Sequence, residues 1–355
     1  MRSFLVPTLS NLVPYTPGEQ PSQSYIKLNT NENPFPPSPK AQEIVNKEAL
    51  QTLNLYPDPL ARSLKNELAN YHNLQAENIM VANGSDEVLA ISFMAFANKE
   101  KPILFPDITY GFYQVHADLF GLTTKIIPLN EDFTVPLQPF LNNEGMVVIA
   151  NPNAPTSLQL PLLAIEEILK NNPDNVVLID EAYVDFATES VIPLLEKYDN
   201  LLIVRTFSKS RSLAGARVGY ALGSKMLISN LETVRNSFHP YNINRLSLAI
   251  AVASVQDDNY FKQCCTKLIA CREECAKKLR EMNFKVLNSA TNFLFVSPPS
   301  ISGETYFTEL RTRGILTRHW NNKRICNYVR ITIGTQEDMQ KVLVATKEIL
   351  EAISV

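Results

Sequence analysis

Five short apolar runs of the sequence are each followed by polar side chains that can do chemistry. Asn83–Glu87 follows the first run, and Tyr110 lies soon after the second. Asn151–Thr156 follows the third run, Asp180–Tyr183 the fourth, and Arg205–Lys209 the fifth. Together these segments offer an amine, a carboxylate, a phenol and a helix start that could bind an anion.

This combination is what pyridoxal phosphate requires of a protein. Lys209 is the candidate for the Schiff base, although most lysines simply lie on the surface. Asp180 is the candidate for the carboxylate against the pyridine nitrogen, and it could equally be a helix N-cap. Gly84 and Ser85 precede an apolar helix, Val88–Ala97, whose free N–H groups would suit a phosphate or simply begin an ordinary capped helix. Tyr183 could reach the phenolic oxygen of the cofactor, or pack in the core.

Hydroxyl and guanidinium groups near Lys209 extend the candidate phosphate site. Thr206 and Ser208 precede the lysine, and Arg217 follows it. A guanidinium can donate two parallel hydrogen bonds to a phosphate. Each signal has an ordinary structural explanation when taken alone, but their coincidence at the ends of predicted strands favours one shared cofactor site.

Buried strands must position these side chains. The apolar runs are typical of strands buried on both faces of a mostly parallel sheet. Longer segments with helical spacing separate them, so the pattern predicts an α/β fold in which helices cover the sheet. Ligands of such folds bind beyond the carboxyl ends of the strands. The predicted strands are Ile79–Ala82, Ile103–Phe105, Met146–Ala150, Val176–Ile179 and Leu201–Val204.

The texture of the sequence predicts three parts. Residues 1–45 are rich in proline and are expected to form an irregular arm that contributes to a small domain. Residues 46–265 carry the alternating pattern and form the large cofactor-binding domain. Residues 266–355 are expected to form a smaller α+β domain. Its predicted elements are a long charged helix and two strands: Thr266–Met282, Asn292–Ser297 and Tyr328–Ile333.

Composition and charge exclude several other classes of protein. The chain has 355 residues, a net charge of −3, 45% apolar residues and 19% charged residues, which is a globular balance. The near-neutral charge argues against nucleic-acid binding, and no apolar run approaches the roughly 18 residues of a membrane span. The sequence has only 11 glycines and contains neither of the common glycine-rich phosphate-binding motifs, GxGxxG and GxxxxGK[ST]. We therefore expect a cytoplasmic protein that binds neither nucleic acid nor membranes.

The cysteines are expected to be packing residues. No CxxC spacing occurs and no histidine lies near the cluster, so we expect no metal site. Buried thiols on a helix are the simpler interpretation. Four of the five cluster where the pattern looks helical, namely Cys264, Cys265, Cys271 and Cys275, and the fifth is Cys326.

Several motifs resemble the fold-type-I aminotransferases that use pyridoxal phosphate, and most closely the histidinol-phosphate aminotransferase family. Three carry the likeness to the fold type, and the lysine motif among them is highly specific for it: Asp180–Tyr183, Thr206–Lys209 and Arg217–Tyr220. Four others carry the likeness to the subfamily: Leu28–Pro34, Leu55–Asp58, Asn83–Glu87 and Val329–Gly334. The resemblance covers nearly the whole chain. It implies a large domain with a mostly parallel central sheet and a smaller α+β domain.

The resemblance also implies roles for the matching residues toward the cofactor. Lys209 would bind the cofactor covalently, Asp180 would pair with its ring nitrogen, and Tyr183 would bond its phenolic oxygen. Tyr110 would stack on the ring, and Tyr56 would reach the cofactor of the neighbouring subunit, which implies a homodimer with shared sites. The remaining cofactor ligands would surround the phosphate: Gly84, Ser85, Asp86, Thr206, Ser208 and Arg217.

The resemblance further implies a substrate site with two arginines. Arg330 would hold the substrate carboxylate, and Arg318 together with Tyr15 would bind the phosphate end. Asn33 is also expected at the substrate. A surface salt bridge is the alternative explanation for each arginine.

One loop departs from the family pattern. The family has Asn-Pro-Thr-Gly there, and its asparagine bonds the phenolic oxygen of the cofactor, but this chain has Ala154 and Ser157 at the first and last positions. Tyr183 would therefore lose its partner on that oxygen unless Asn153 or Asn151 replaces the missing amide. On that ground Asn153 is an expected cofactor ligand.

The resemblance implies a specific reaction. L-Histidinol phosphate and 2-oxoglutarate would give imidazole-acetol phosphate and L-glutamate, a step of L-histidine biosynthesis. Two reactions on the same scaffold stay open: an aromatic amino-acid transaminase, and a decarboxylase of a phosphorylated amino acid. A more distant alternative is a regulator that binds the cofactor without catalysis, and Ala154 is the feature that favours it.

Overall fold

In the computed structural model of the chain, residues 5–21, 25–45 and 50–353 are described, and they form alternating strands and helices. The strands are β1 (Ile26–Lys27), β2 (Ile79–Ala82), β3 (Ile103–Pro106), β4 (Thr124–Ile127), β5 (Met146–Ala150), β6 (Val177–Asp180), β7 (Leu201–Thr206), β8 (Gly219–Gly223), β9 (Lys285–Val286), β10 (Phe293–Ser297), β11 (Ile315–Leu316), β12 (Arg318–His319) and β13 (Val329–Thr332). The α-helices are α1 (Pro39–Glu43), α2 (Arg62–His72), α3 (Ser85–Phe96), α4 (Phe112–Phe120), α5 (Leu162–Lys170), α6 (Lys225–Phe238), α7 (Arg245–Gln256), α8 (Asp258–Glu281), α9 (Gly303–Thr312) and α10 (Gln336–Ile353).

A mixed sheet, seven-stranded within the described ranges, positions the predicted chemical groups. Its strand order is β2-β8-β7-β6-β5-β3-β4. The strands from β7 to β4 are parallel to one another, while β8 is antiparallel to both β7 and β2. The carboxyl ends of β2, β3, β5, β6 and β7 therefore lie along one edge of the sheet.

The five predicted strands are present, and two further strands of this sheet are missed. β2 and β5 have the predicted bounds, and the other three differ by one or two residues at an end. β4 lies at the edge with Lys125 and Ile126 exposed, so it lacks a continuous apolar run. β8 begins and ends with glycine, which lowers its strand propensity.

Alternate residues of the buried strands pack into cores on opposite faces of the sheet. In β2, Ile79 and Val81 join the core beneath α2, α5 and α7. Met80 and Ala82 join the core beneath α3, α4 and α6. Because both faces are covered, the strands carry apolar residues at every position, which is why they are visible in the sequence.

The C-terminal part has its own sheet and core. The strand order there is β12-β13-β10-β9, all antiparallel, with α8, α9 and α10 contributing to the core. β1 of the N-terminal arm pairs in parallel with β11, so the arm is attached to this part. The predicted boundary at residue 266 falls inside α8, and the division into domains stays a prediction. Over the described ranges, no helix is long and apolar enough to cross a membrane.

Candidate active site

A cavity of about 230 Å³ lies at the carboxyl ends of the central strands. The segments that follow β2, β3, β6 and β7 all contribute to its walls, as expected for an open α/β sheet. Nine of the residues predicted from the sequence line it: Ser85, Asp86, Tyr110, Asp180, Tyr183, Thr206, Ser208, Lys209 and Arg217.

Lys209 extends into this cavity from the turn after β7. Its Nζ donates a hydrogen bond to the carbonyl oxygen of Thr30 over 3.3 Å and lies 5.8 Å from the centre of the Tyr183 ring. The Asn33 amide donates to the carbonyl oxygens of Lys209 and Ser210, at 3.0 and 3.1 Å. Asn33 thus fixes the backbone that carries the lysine and does not line the cavities around Lys209. Its predicted role toward the substrate stays a prediction, which this position does not favour.

Asp180 is the last residue of β6 and is almost fully buried. The Tyr113 hydroxyl donates to its Oδ2 over 2.8 Å, and the Ala182 N–H donates to its Oδ1 over 3.1 Å. Burial outweighs these hydrogen bonds and raises the pKa of Asp180 to about 6. A carboxyl group in this situation gains from a cationic partner in the cavity, such as a protonated ring nitrogen.

The start of α3 offers backbone N–H groups to an anion. No side chain caps this helix, whose N-cap is Gly84 with φ at +84°. Gly219 of β8 permits the close approach of the helix start, because a Cβ there would lie 2.4 Å from the Ser85 nitrogen. Free N–H groups at a helix N-terminus favour phosphate binding.

Tyr110, Asp86 and Arg217 form one hydrogen-bonded chain beside this helix start. The Tyr110 hydroxyl donates to Asp86 Oδ1 over 2.9 Å, and Arg217 Nη2 donates to Asp86 Oδ2 over 3.1 Å. Burial is the main cause that raises the pKa of Tyr110, so its hydroxyl stays protonated. These hydrogen bonds hold the Arg217 guanidinium beside the start of α3, where it could bind the same phosphate as the helix N–H groups.

The turn after β7 brings two hydroxyl groups to the same cavity. Thr206 Oγ1 accepts a hydrogen bond from the Ser208 N–H over 3.1 Å, which fixes the turn that leads to Lys209. Both side chains are buried and line the cavity. They are therefore in place to serve as phosphate ligands.

A second cavity of about 410 Å³ adjoins the first. Tyr110, Tyr183 and Lys209 line both, so the two cavities share a wall at the lysine. The predicted substrate residues Tyr15, Arg318 and Arg330 all line the second cavity. The substrate and cofactor groups predicted from the sequence therefore meet at Lys209.

Arg330 lies on β13 with its guanidinium between two aromatic rings. Its Cζ lies 5.3 Å from the Phe293 ring centre and 5.2 Å from that of Trp320. Nη2 donates to the Asn29 carbonyl over 2.8 Å, whereas the buried Nε has no hydrogen-bond partner among the described residues. Burial lowers the pKa of this guanidinium. The site therefore favours an anionic ligand at Arg330.

Arg318 is held nearby by the N-terminal arm. Its guanidinium donates to the carbonyl oxygens of Thr16 and Pro17, at 3.2 and 3.4 Å, and lies 5.6 Å from the Trp320 ring centre. The Tyr15 ring packs against that of Tyr110, with 6.2 Å between centres. In the described structure Arg318 forms no salt bridge, so the surface-pair explanation does not apply to it.

The Asn153 side chain is not placed at the cavity. Its Oδ1 accepts from the Thr109 hydroxyl over 2.7 Å, and its Nδ2 donates to the Ile108 carbonyl and the Thr156 hydroxyl. Asn151 is similarly engaged with the backbone of Leu160. Neither amide replaces the one that the loop lacks. Ala154 lines both cavities in their place.

Tyr56 does not line either of the two cavities around Lys209. It is 78% exposed and stacks on Tyr241, with 4.6 Å between ring centres. Its carbonyl oxygen accepts a hydrogen bond from Arg245. A role at its own Lys209 is therefore not supported by this position.

Sequence reasoning missed part of the site. Asn31 donates from its side-chain amide to the Tyr183 hydroxyl over 2.8 Å, and Tyr113 holds Asp180. The motif at residues 28–34 indicates that this segment belongs to the site, but the sequence does not indicate which of its asparagine side chains faces the cavity. The missed residues are Thr30, Asn31, Glu32 and Tyr113.

The donor set of the first cavity fits pyridoxal phosphate. Lys209 supplies an amine, Asp180 a buried carboxyl group whose pKa is raised, and Tyr183 a phenol. The uncapped start of α3 and Arg217 supply the anion site. These are the groups that the cofactor's aldehyde, ring nitrogen, ring oxygen and phosphate each require.

A family model described as aminotransferase class I and II matches residues 23–345. The chain belongs to this aminotransferase family. The chain is 49% identical to the histidinol-phosphate aminotransferase of Brachyspira hyodysenteriae, over 96% of each protein. It is 51% identical to that of Acinetobacter baylyi, over 96% of this chain and 95% of the relative. The resemblance inferred from the motifs is confirmed.

A solved aminotransferase has the same fold. The histidinol-phosphate aminotransferase of Sinorhizobium meliloti, in complex with pyridoxal-5'-phosphate, superposes with a TM-score of 0.89 at 22% identity, over 99% of each chain. The fold class predicted from the sequence is confirmed by this likeness. The roles of individual site residues stay predictions.

Proposed function

We propose that this aminotransferase uses pyridoxal phosphate to convert L-histidinol phosphate and 2-oxoglutarate into imidazole-acetol phosphate and L-glutamate, a step of L-histidine biosynthesis. The observation that carries the proposal is the pair Arg318 and Arg330 in a cavity that opens onto Lys209. The relatives of about 50% identity, which align over nearly the full chain, carry this activity in their names.

Lys209 is the acid and base of the proposed reaction. The cofactor, when bound, supplies the electron sink that makes the substrate α-proton acidic. With the cofactor bound, Lys209 Nζ would remove that proton as the base and give it up again as the acid. Asp180 would hold the ring nitrogen protonated, and the Tyr183 hydroxyl would stabilise charge on the ring oxygen.

The two arginines let one cavity take two kinds of substrate in turn. Arg330 binds the α-carboxylate of glutamate, and its unpartnered Nε favours an anion there. Arg318 lies in the same cavity and binds the phosphate of histidinol phosphate, whose CH2-O-phosphate group stands where glutamate has its α-carboxylate. A guanidinium suits both because its fork matches the oxygens of either anion.

The proposal includes a homodimer in the cytoplasm. Exposed apolar side chains lie close in sequence to Tyr56 or to Tyr241, which stacks on it, and they suit a subunit interface: Leu50, Leu53, Leu55, Phe238 and Tyr241. In such a dimer the Tyr56 hydroxyl would reach the phosphate of the neighbouring subunit's cofactor. The five cysteines are free thiols, the form that a reducing compartment maintains.

A substrate assay tests the proposed reaction. Purified protein is supplied with pyridoxal phosphate and 2-oxoglutarate, and production of glutamate is followed with L-histidinol phosphate, phenylalanine or threonine phosphate as donor. We expect the highest kcat/KM with histidinol phosphate. Preference for phenylalanine, or release of carbon dioxide from threonine phosphate, would replace the proposal with one of the other reactions.

Hybrid dimers test the shared site. A Lys209→Ala subunit and a Tyr56→Phe subunit are mixed at a cofactor concentration that limits Tyr56→Phe. One site of each hybrid then combines the native Lys209 with the native Tyr56, so the mixture should regain activity that neither variant has alone. Absence of any gain would contradict the shared site.

A further inference from the structure

Asn31 connects the tyrosine of the cofactor cavity to the C-terminal sheet. Its Nδ2 lies 2.8 Å from the Tyr183 hydroxyl, and its Oδ1 accepts from the Thr332 hydroxyl over 3.0 Å. The backbone N–H of Asn31 donates to the same Thr332 oxygen over 3.1 Å, and its carbonyl accepts from Asn292 over 3.0 Å. Asn31 is 2% exposed, so every polar group of this residue is engaged within the protein.

These contacts fix the direction of the hydrogen bonds. The Thr332 oxygen accepts from the Asn31 N–H, and its own proton goes to Asn31 Oδ1. The amide then faces Tyr183 with its NH₂ group, so the tyrosine oxygen is the acceptor in that contact. In the described part of the chain the Tyr183 proton has no other acceptor, and Tyr183 lines the cavity beside Lys209.

This arrangement answers the loss of the amide in the 151–157 loop. Ala154 lines the cavity without a polar group, and the amides of Asn151 and Asn153 are both engaged elsewhere. Tyr183 is therefore left as the donor for an oxygen on the ring. A hydroxyl that accepts a hydrogen bond becomes a stronger donor, because the two bonds polarise each other.

We propose that Asn31 is a positioning residue: by donating to the Tyr183 oxygen, it directs the Tyr183 proton into the cavity. Asn31 thereby provides, through Tyr183, the hydrogen-bond donor to the cofactor's ring oxygen that an amide at residue 154 would provide directly. The inference rests on the proposed use of pyridoxal phosphate. It concerns the ring oxygen of that cofactor, whose negative charge the Tyr183 proton stabilises.

Asn31→Asp is the decisive variant. Asn31 has φ at +56°, a conformation that aspartate tolerates as well as asparagine, and the two side chains have the same shape. A carboxylate accepts only, so it would take the Tyr183 proton away from the cavity. Asn31→Gly also tolerates this φ and removes the amide without adding charge, which leaves the hydroxyl free to rotate.

The readouts are the visible spectrum of the bound cofactor and the affinity of the cofactor-free protein for pyridoxal phosphate. At a fixed pH, loss of a donor to the ring oxygen increases the fraction of the bound cofactor that is in its protonated form, which absorbs at the longer wavelength. We expect the ratio of the two forms to change about tenfold in Asn31→Asp, as for loss of one charge-assisted hydrogen bond, and about threefold in Asn31→Gly. Unchanged thermal unfolding of both variants would exclude a general loss of structure.

The same substitutions in a Tyr183→Phe background isolate the relay. If Asn31 acts through the tyrosine, Asn31→Gly should leave the ratio there within about twofold, and Asn31→Asp should have only the smaller effect of its charge. An effect of equal size in both backgrounds would overturn the inference. So would a wild-type spectrum in Asn31→Asp, because the tyrosine would then already donate to residue 31.

Failure of the proposed function has a different signature. A wild-type protein that binds no pyridoxal phosphate would overturn both the proposed function and the inference about Asn31. A wild type that binds the cofactor but does not turn over histidinol phosphate would refute the substrate proposal, and the spectral comparison would still decide the role of Asn31.

Discussion

Replacing Asp180 by asparagine should stabilise the cofactor-free protein and remove most of its activity. Asp180 is 5% exposed, and burial is the largest of the causes that bring its pKa to about 6. Hydrogen bonds from Tyr113 and Ala182 offset part of that effect. The charge of Asp180 is therefore destabilising until a cation binds beside it.

The magnitude follows from the two pKa values. The unfolded carboxyl titrates near 3.8, and the folded one near 6. Between these pH values the unfolded chain releases its proton before the folded chain does, so stability falls as pH rises, by about 1.4 kcal/mol per pH unit. Above pH 6, the free energy of unfolding is therefore about 3 kcal/mol lower than it is below pH 3.8. Asparagine does not titrate, and its amide can accept from the Ala182 N–H while donating to the Tyr113 oxygen.

Urea unfolding of the cofactor-free proteins at pH 4 and pH 8 measures the effect. We expect Asp180→Asn to exceed the wild type by about 2–3 kcal/mol at pH 8, and the difference to largely vanish at pH 4. Tyr113→Phe is the control of opposite sign, because it removes a donor that stabilises the carboxylate. The activity of Asp180→Asn should fall by about 100-fold or more. A variant no more stable than the wild type at pH 8 would refute the reasoning.

Three further predictions concern the phosphate and substrate ends. Gly219→Ala places a Cβ 2.4 Å from the Ser85 nitrogen, so the start of α3 must shift. The Kd for pyridoxal phosphate, measured by absorbance titration, should then rise about tenfold, and an unchanged Kd would mean that the phosphate binds elsewhere. Arg330→Gln should lower kcat/KM for glutamate by about 100-fold in steady-state kinetics, because it removes the partner of the α-carboxylate. Arg318→Gln should lower kcat/KM for histidinol phosphate more than that for glutamate, because it removes a partner of the phosphate, and equal losses for the two substrates would contradict this assignment. Trp320 is the single tryptophan of the chain and lies against both guanidiniums, so histidinol phosphate should change its fluorescence; constant emission at saturating substrate would contradict binding there.

The sequence predicts the cofactor side of the site well because of how parallel sheets are built. Residues that follow buried strands share one edge, so Asp180, Lys209 and Tyr110 come together without knowledge of the packing. Strands buried on both faces are also the easiest to recognise. β8 is missed because glycine at both ends weakens the pattern, although Gly219 is what lets α3 approach the sheet.

The amides of the site could not be assigned in the same way. Asn31, Asn33 and Asn153 all lie in motifs that indicate the site, yet only Asn31 hydrogen bonds to a residue that the sequence assigns to the cofactor ring. What separates them is contact with residues far along the chain, such as Tyr183 and Thr332 for Asn31. An amide can donate or accept in any direction, so its role depends on tertiary structure alone.

The two cavities hold charges that the protein alone does not balance. The pKa of Asp180 is raised to about 6 and that of Arg330 is lowered, both chiefly by burial, and the buried Nε of Arg330 has no partner within the described residues. Each of these costs stability in the empty protein and is relieved by a ligand of opposite charge. Under the proposed function, the cofactor's ring nitrogen would relieve Asp180 and the substrate carboxylate would relieve Arg330. Because any ligand that binds the folded state alone stabilises it, loading with cofactor and then with substrate should raise the unfolding temperature in two separate steps. The second step should be lost in Arg330→Gln while the first is retained, since the two charges lie in different cavities.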